Sequence, residues 1–267
     1  MIDLDAYFAR IDYNGPREPT LEVLRALHAA HPAAIPFEAL DVLLGLGVDI
    51  SPSAVDAKLI DQRRGGYCYE QNSLFKRALT ALGFQVEGLL ARVRWGAPAG
   101  APATRRGHMA LRVTLDGEAW LADVGFGGVV MSGPLRMAQL GPQRTPNGDF
   151  RLSPIDGDLL LEVRSGSGWA AVYLLGSEAQ LDIDYEHANW HTSTHPDSIF
   201  RHSLMVARTT PTALYTLGNT RLSTRAPDGS VTHKTLDAAG IERALIEIFE
   251  LPVPPALRPI LARVAGE

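Results

Sequence analysis

Residues 63–72 read Arg-Arg-Gly-Gly-Tyr-Cys-Tyr-Glu-Gln-Asn, and this stretch places two glycines directly before Cys68. Apolar residues then recur at helical spacing from Leu74 to Leu82, and Gly83 suits a helix C-terminus. The glycines permit a tight or positive-φ turn, so we predict that Cys68 lies in the first turn of a helix. Unpaired N–H groups and the helix dipole at that position favour a thiolate and supply donors for an oxyanion. Cys68 is therefore a candidate nucleophile, and a buried, inert cysteine is the simpler alternative.

A thiolate nucleophile needs a histidine base that a third group orients, and a predicted hairpin supplies both. Asp116-Gly117 is a strong signal for a two-residue turn. With that turn Ala110 lies opposite Asp123, so His108 and Asp123 share one face as diagonal neighbours, roughly 7–8 Å apart at the backbone. A three-residue turn would shift the register by one residue and separate them. The opposite face is uniformly apolar and comprises Met109, Leu111, Val113, Trp120, Ala122 and Val124.

The region before the hairpin is helical in pattern. Thr20 is a suitable N-cap for a helix that we expect Pro32 to end, and Ser51-Pro52 opens a second helix. From Phe84 the apolar spacing changes to two, which indicates strands, and a Gly/Pro/Ala-rich loop follows at residues 96–103. Further strand patterns at residues 159–163 and 171–175 favour a meandering sheet or barrel.

The last region mixes strand and helix signals. Strand patterns occur at residues 203–208 and 220–224, and an amphipathic helix near Ile241 is broken by prolines from Pro252 onward. We therefore predict an α+β fold with an N-terminal helical bundle, a central β-barrel and a C-terminal α/β lid. The expected domains are residues 1–84 with the cysteine, 85–187 with the histidine and aspartate, and 188–267.

Three histidines, His187, His191 and His195, recur every four residues, a spacing that stacks metal ligands on a helix. The Ser-Thr-His-Pro run at 193–196 favours a turn instead, and the chain has a single cysteine. We therefore predict no metal site.

Composition narrows the class of protein. The 267 residues are 46% hydrophobic with a net charge of −5, so we expect neither nucleic acid nor an anionic membrane as a partner. The first residues lack a basic signal region, and no run approaches the 18 or more apolar residues that span a bilayer. We expect a cytoplasmic protein, with homo-oligomerisation left open. An anionic ligand then needs a local basic pocket, for which Arg105 and Arg106 are candidates.

Five sequence runs, in order between about residue 5 and residue 225, resemble the arylamine N-acetyltransferase family. They are Ile35-Pro36-Phe37-Glu38-Ala39-Leu40, residues 64–72, Gly107-His108-Met109, Asp123-Val124-Gly125-Phe126-Gly127, and Asn189-Trp190 with Ser193-Thr194-His195-Pro196 and Phe200. Taken jointly these runs are highly specific.

The resemblance implies a cysteine-protease-like triad of Cys68, His108 and Asp123 that uses acetyl-CoA as co-substrate without a metal. It implies a ping-pong transfer, through acetyl-Cys68, to an arylamine, an arylhydroxylamine or a hydrazine. It also implies that Phe126 lines the acceptor cleft and that Gly127 and Thr104 lie near the CoA entrance. Glu38 and Arg64 resemble the family's structural ion pair beside the cysteine loop.

Three other functions are compatible with parts of the pattern. A papain-like peptidase would pair Cys68 with His195, which lies 127 residues later, but the sequence signature around its cysteine is absent. An amide synthase of the same superfamily would share the triad and act on a carrier-bound acyl chain. A non-catalytic binding protein would be free to lose a triad residue.

Overall fold

The computed structural model describes residues 2–98 and 100–266. Its first part consists of short helices around one strand, β1 (Phe37–Glu38). The helices are α1 (Leu4–Arg10), α2 (Leu21–Ala34), α3 (Leu40–Leu43), α4 (Pro52–Asp56), which continues as a π-helical turn at Ala57–Asp61, and α5 (Cys68–Ala81).

Most of the predicted helix boundaries are confirmed. The Thr20 side chain accepts a hydrogen bond from the Val23 N–H and caps α2, and Gly83 follows α5 with a φ of +92°. The prediction that Pro32 ends α2 is wrong, because the helix continues to Ala34. Proline removes one hydrogen bond, but the Ile35 N–H still closes on the His31 carbonyl at 2.8 Å, so the last turn persists.

An eight-stranded antiparallel sheet forms a nearly closed barrel, which confirms the predicted fold class. Its strands pair in the order β5-β4-β3-β2-β9-β8-β7-β6. They are β2 (Gln85–Val93), β3 (Arg106–Leu115), β4 (Glu118–Ala122), β5 (Leu135–Arg136), β6 (Gln143–Thr145), β7 (Gly148–Ile155), β8 (Asp158–Ser165) and β9 (Gly168–Leu175).

The β3–β4 hairpin has the register that its turn signal predicts. Leu111 pairs with Ala122 and Leu115 pairs with Glu118, so the turn contains only Asp116 and Gly117. Both turn residues have positive φ, at 52° and 77°, as a type I′ turn requires. The β3–β4 pairing ends with Leu111 and Ala122, so the chain leaves the ladder just before Asp123.

The C-terminal part combines a second sheet with three helices. β1 pairs with β10 (Met205–Thr209), and the sheet continues through β11 (Leu214–Gly218), β12 (Arg221–Arg225) and β13 (Val231–Thr235). The helices are α6 (Asp184–Thr194), α7 (Ala238–Glu247) and α8 (Arg258–Ala265). The turn expected at residues 193–194 is wrong, because α6 runs through both and the following proline lies just beyond its C-cap, His195.

Three apolar clusters hold these parts together. The largest joins α1, α2 and α5 to the apolar face of the hairpin, including Met109, Leu111 and Val113, as the alternation predicts. A second fills the barrel, and a third lies between the C-terminal sheet and helices α7 and α8. The hairpin therefore has one face against the helices and the other toward the barrel interior. Within residues 2–98 and 100–266, no helix is both long and apolar enough to cross a membrane.

Candidate active site

Cys68 is the first residue of α5, as predicted, and its side chain is buried. The Glu70 side chain accepts the Tyr67 N–H at 3.0 Å and fixes the first turn of the helix. Neither Gly65 nor Gly66 has a positive φ, so the positive-φ alternative for these glycines is wrong. A Cβ on Gly65 would lie 2.2 Å from the Pro36 carbonyl oxygen, so close backbone packing explains this glycine.

His108 and Asp123 are hydrogen-bonded, with 2.7 Å between Nε2 and Oδ2, and both are buried. Cys68 lies close enough to His108 to raise the pKa of the imidazole. Because Asp123 occupies Nε2, the other ring nitrogen is the one left for the thiol. The structure thus brings the three predicted triad residues together.

His108 and Asp123 are held as an imidazolium and a carboxylate. Burial disfavours the imidazolium, but the Asp123 carboxylate outweighs it and raises the pKa of His108 well above its ordinary value. Burial likewise disfavours the carboxylate, but His108 and hydrogen bonds from Asn72 and Gly125 leave the pKa of Asp123 below its ordinary value. A protonated imidazole beside the thiol is the state that favours a thiolate nucleophile.

The segment that carries Asp123 is fixed by side chains from the helices. Asn72 Nδ2 donates to Asp123 Oδ1 at 2.9 Å and to the Met109 carbonyl at 2.8 Å, and its Oδ1 accepts the Val124 N–H at 3.1 Å. The Gly125 N–H donates to the same Asp123 Oδ1 at 2.9 Å. The Asp123 N–H itself donates to His28 Nε2 at 2.9 Å.

Gly125 permits the barrel and the nucleophile helix to meet. A Cβ at this position would lie 2.7 Å from Cys68 Cα and 2.8 Å from Asn72 Nδ2. Backbone atoms of α5 cannot yield in the way that a flexible side chain does. Glycine is therefore required here by close approach, and its φ is not positive.

A buried ionic network supports the loop before Cys68. Arg64 contacts Glu38 and Asp41, each at 2.8 Å, which confirms the ion pair expected between Glu38 and Arg64. Lys58, for which no sequence pattern indicates a role, bonds to Asp41 and Glu70, each at 2.7 Å, and lies 3.9 Å from Glu38. Two cations therefore face three carboxylates beneath the cysteine loop.

The residues expected to contact substrates differ in their surroundings. The half-buried Phe126 ring meets His108 edge-on at 4.9 Å, and Tyr173 lies 5.0 Å from His108 and 5.4 Å from Phe126. Gly127 has a φ of +73°, and a Cβ there would lie 3.1 Å from the Phe37 ring. Thr104 is exposed, and its hydroxyl donates to the Val93 carbonyl at 2.9 Å.

Arg105 and Arg106 are exposed at the start of β3. The pKa of His191 is lowered by burial and by the charges of His195 and Arg105. Since His191 is in α6, Arg105 lies near that helix. The His191 and His195 rings stack with centroids 4.3 Å apart. In the part of the chain that the structure describes, no group of three or more metal-ligating side chains is found.

Sequence reasoning missed several residues of the site. Asn72 lies one helical turn after Cys68 in the quoted run, and its i+4 spacing was a usable signal. His28 lies within the helix predicted after Thr20, and Tyr173 lies within the strand predicted at residues 171–175, but neither pattern indicates a site residue. Their contacts with the hairpin join segments far apart in the chain, and no local pattern encodes such contacts.

Comparison with known proteins agrees with this arrangement. A family model described as N-acetyltransferase matches residues 20–258. The arylamine N-acetyltransferase / N-hydroxyarylamine O-acetyltransferase of Salmonella typhimurium is 42% identical over 208 residues, which cover 78% of this chain and 73% of that protein. The arylamine N-acetyltransferase of Mycolicibacterium smegmatis is 40% identical over 270 residues, covering 99% of this chain and 98% of that protein.

A solved structure matches over almost the whole chain. The Mycobacterium marinum arylamine N-acetyltransferase in complex with CoA aligns with a TM-score of 0.93 at 38% identity, covering 99% of both chains. The sequence runs, the barrel fold and the family match thus indicate the same family along almost the whole chain. The chain belongs to the arylamine N-acetyltransferase family.

Proposed function

We propose that this protein transfers the acetyl group of acetyl-CoA to the nitrogen of an arylamine, an arylhydroxylamine or a hydrazine. The observation that carries the proposal is the buried His108–Asp123 pair, 2.7 Å apart, against Cys68 at the start of α5. Relatives named arylamine N-acetyltransferase and a CoA-bound neighbour support the choice of donor and acceptor.

In the first half-reaction the Cys68 thiolate attacks the thioester carbonyl carbon of acetyl-CoA. The carbonyl oxygen becomes an oxyanion, for which N–H groups at the start of α5 are suitable donors. The bond from carbon to the CoA sulfur then breaks, and the His108 imidazolium gives its proton to the departing thiolate. Both thiols have similar basicity, so neither direction of this exchange is steeply uphill.

In the second half-reaction the amine nitrogen attacks the acetyl carbon of acetyl-Cys68. Neutral His108 accepts the proton that the nitrogen loses, and the bond from carbon to Sγ breaks. The product is the amide, and the thiolate–imidazolium pair is restored. Asp123 keeps the ring oriented and stabilises its charged form in both halves.

The substrate contacts are part of the same proposal. Phe126 offers an aromatic edge beside His108 and is assigned to the acceptor cleft. Thr104 and Gly127 are assigned to the CoA entrance, and Arg105 with Arg106 to the CoA phosphates. Reversing both arginine charges is expected to raise the KM for acetyl-CoA without changing the KM for the amine, and an unchanged KM for acetyl-CoA would refute the phosphate assignment.

The papain-like alternative is disfavoured by the position of its histidine. The imidazole whose pKa responds to Cys68 belongs to His108, whereas His195 stacks on His191 and lies 3.9 Å from Asp197. No observation favours the amide-synthase alternative or the non-catalytic one over acetyl transfer.

We also propose a cytoplasmic location and a division into three domains at residues 1–84, 85–187 and 188–267. Barrel strands between residues 85 and 175 and the strands β10 to β13 support the division, while β1 of the first part joins that second sheet and α6 spans the boundary at residue 187. Homo-oligomerisation stays a prediction.

The decisive test is the intact mass of the protein after brief mixing with acetyl-CoA alone. The expected result is the addition of one acetyl group to the wild type and none to Cys68→Ala, with the acetyl group discharged when an arylamine is added. A folded wild type that gains no acetyl group would refute acetyl-CoA as the donor. Identification of the discharged product separates an arylamide from the macrocyclic product of an amide synthase.

A further inference from the structure

The three N–H groups of residues 123–125 leave the sheet ladder, yet each is hydrogen-bonded to a side chain. Asp123 donates to His28 Nε2 at 2.9 Å, Val124 to Asn72 Oδ1 at 3.1 Å, and Gly125 to Asp123 Oδ1 at 2.9 Å. The segment is thus held by helices α2 and α5 together with its own carboxylate. Its backbone position does not depend on a strand neighbour.

His28 has the chemical form that this bond requires. Its side chain is fully buried on α2 and meets the Phe75 ring edge-on at 5.7 Å. Burial lowers the pKa of His28 to about 4, so the ring is neutral near pH 7. A backbone N–H can only donate, so Nε2 carries the lone pair and the proton of the neutral ring is on Nδ1.

We propose that His28 is a positioning residue of the active site, which fixes the backbone of Asp123 so that its carboxylate stays on His108. The inference rests on the proposed roles of Asp123 and His108 in acetyl transfer. Asn72 holds Oδ1 of the carboxylate, but among the described residues the Asp123 N–H is held by His28.

An apolar residue at position 28 would pack in the same cluster but would leave the Asp123 N–H buried without an acceptor. The least costly relaxation is a shift of the segment toward another acceptor. Such a shift lengthens the 2.7 Å contact between Asp123 and His108 and weakens the charged pair. Position 28 therefore controls how well the imidazolium beside Cys68 is stabilised.

The test compares two substitutions of similar size that both favour a helix. His28→Gln places an amide oxygen near the position of Nε2 and keeps an acceptor, whereas His28→Met removes it. We expect Met to slow the single-turnover acetylation of Cys68 by about tenfold or more, since small misplacements of catalytic groups cost large factors in rate. We expect Gln to restore most of that rate.

A second readout reports on the charged pair itself. The rate of Cys68 alkylation by iodoacetamide is followed against pH, and its midpoint is expected to move to higher pH in His28→Met and to stay near the wild-type value in His28→Gln. The titratable groups facing His108 are Asp123, Cys68 and Tyr173, and they are unchanged in both variants. Those facing His28 are Asp123 and His31, also unchanged.

Leu27→Ala is the matched control, because Leu27 is an equally buried residue of the same helix whose apolar side chain offers no acceptor to the Asp123 N–H. It is expected to lower the Tm while leaving the alkylation profile at the wild-type midpoint. If His28→Met does not fold, His28→Asn replaces it, since the shorter amide cannot reach the Asp123 N–H.

The inference would be overturned if His28→Met, or His28→Asn in its place, had the wild-type acetylation rate and alkylation profile. It would also be overturned if His28→Gln lost as much acetylation rate as that variant. Failure of the proposed function appears differently, as a wild type that acetyl-CoA does not acetylate. The alkylation profiles would then still decide whether His28 acts on the pair.

Discussion

Lys58 is the residue whose removal the structure predicts to be most costly outside the triad. Its ammonium lies 2.7 Å from Asp41, 2.7 Å from Glu70 and 3.9 Å from Glu38, and its side chain is 12% exposed. Lys58→Met keeps the length and apolar stem of the side chain but removes the charge. Three carboxylates, the buried Glu38 and Glu70 and the half-buried Asp41, would then face Arg64 alone, and the charge of the network would change from −1 to −2.

The magnitude follows from the cost of an uncompensated buried charge, which is roughly 3–5 kcal/mol when one partner of a buried pair is removed. A change of about 1 kcal/mol moves the Tm of a chain of this size by roughly 2–4 °C. Lys58→Met is therefore expected to unfold about 10 °C below the wild type at pH 7. The loop before Cys68 loses support as well, so the acetylation rate of Cys68 should fall.

The stability lost in Lys58→Met should depend on pH in a defined direction. Burial raises the pKa of Glu70 above its ordinary value, against the opposing effect of Lys58. Without Lys58 the folded-state pKa rises further, so the charged carboxylate destabilises the fold above that pKa. Protonation removes the penalty as pH falls through it. The difference between variant and wild type is thus largest near pH 7 and shrinks toward acidic pH.

The assay is thermal and urea unfolding of both proteins at several pH values. Arg77→Met is the control, because Arg77 bonds to Asp56 at 2.6 Å with both side chains partly exposed, where an ion pair is worth about 0–1 kcal/mol. A Lys58→Met variant as stable at pH 7 as Arg77→Met would refute the argument. A deficit that grows as pH falls would show that the carboxylates are not its source.

Three further predictions concern the site. Gly125→Ala should lower the Tm by several degrees and the activity by about 100-fold, because the new Cβ would lie 2.7 Å from a backbone atom of α5. Gly141→Ala is the control, since a Cβ there meets no atom within 4 Å, and it should match the wild type in thermal unfolding and turnover. Asp123→Asn removes the charge that raises the pKa of His108, so the single-turnover rate of Cys68 acetylation at pH 7 should fall by roughly 10³–10⁴-fold. A loss below tenfold would contradict the charged-pair mechanism. Phe126→Ala should raise the KM for an arylamine while the rate of enzyme acetylation by acetyl-CoA stays within about threefold, and the reverse pattern would remove Phe126 from the acceptor cleft.

The predictable parts of this molecule are those that local patterns encode. Asp116-Gly117 specifies a two-residue turn, and that turn alone determines which residues of β3 and β4 share a face. The register assigns His108 and Asp123 to one face, but Asp123 lies just beyond the ladder, so its final position also depends on His28 and Asn72. The start of α5 at Cys68 is equally local, since it follows from the apolar spacing after the cysteine.

The parts that could not be predicted depend on contacts between distant segments. β13 is exposed throughout and β11 buries only Leu214 and Leu217, so neither strand alternates clearly. α8 follows a proline run that predicts a helix stop. The position of Lys58 among three carboxylates follows from packing between α3, the π-helical turn and α5, for which one sequence carries no periodic signal.

The same distinction explains how the site achieves its geometry. The hairpin supplies two of the three reacting groups in a register that it encodes locally, but the third is on a helix whose distance from the barrel is not encoded there. Gly125 sets that distance by allowing backbone contact at Cys68, and His28 and Asn72 hold the two residues that precede it. Since the chemistry requires the thiol, the imidazole and the carboxylate to be aligned within a fraction of an ångström, these positions determine its rate as directly as the triad determines its mechanism.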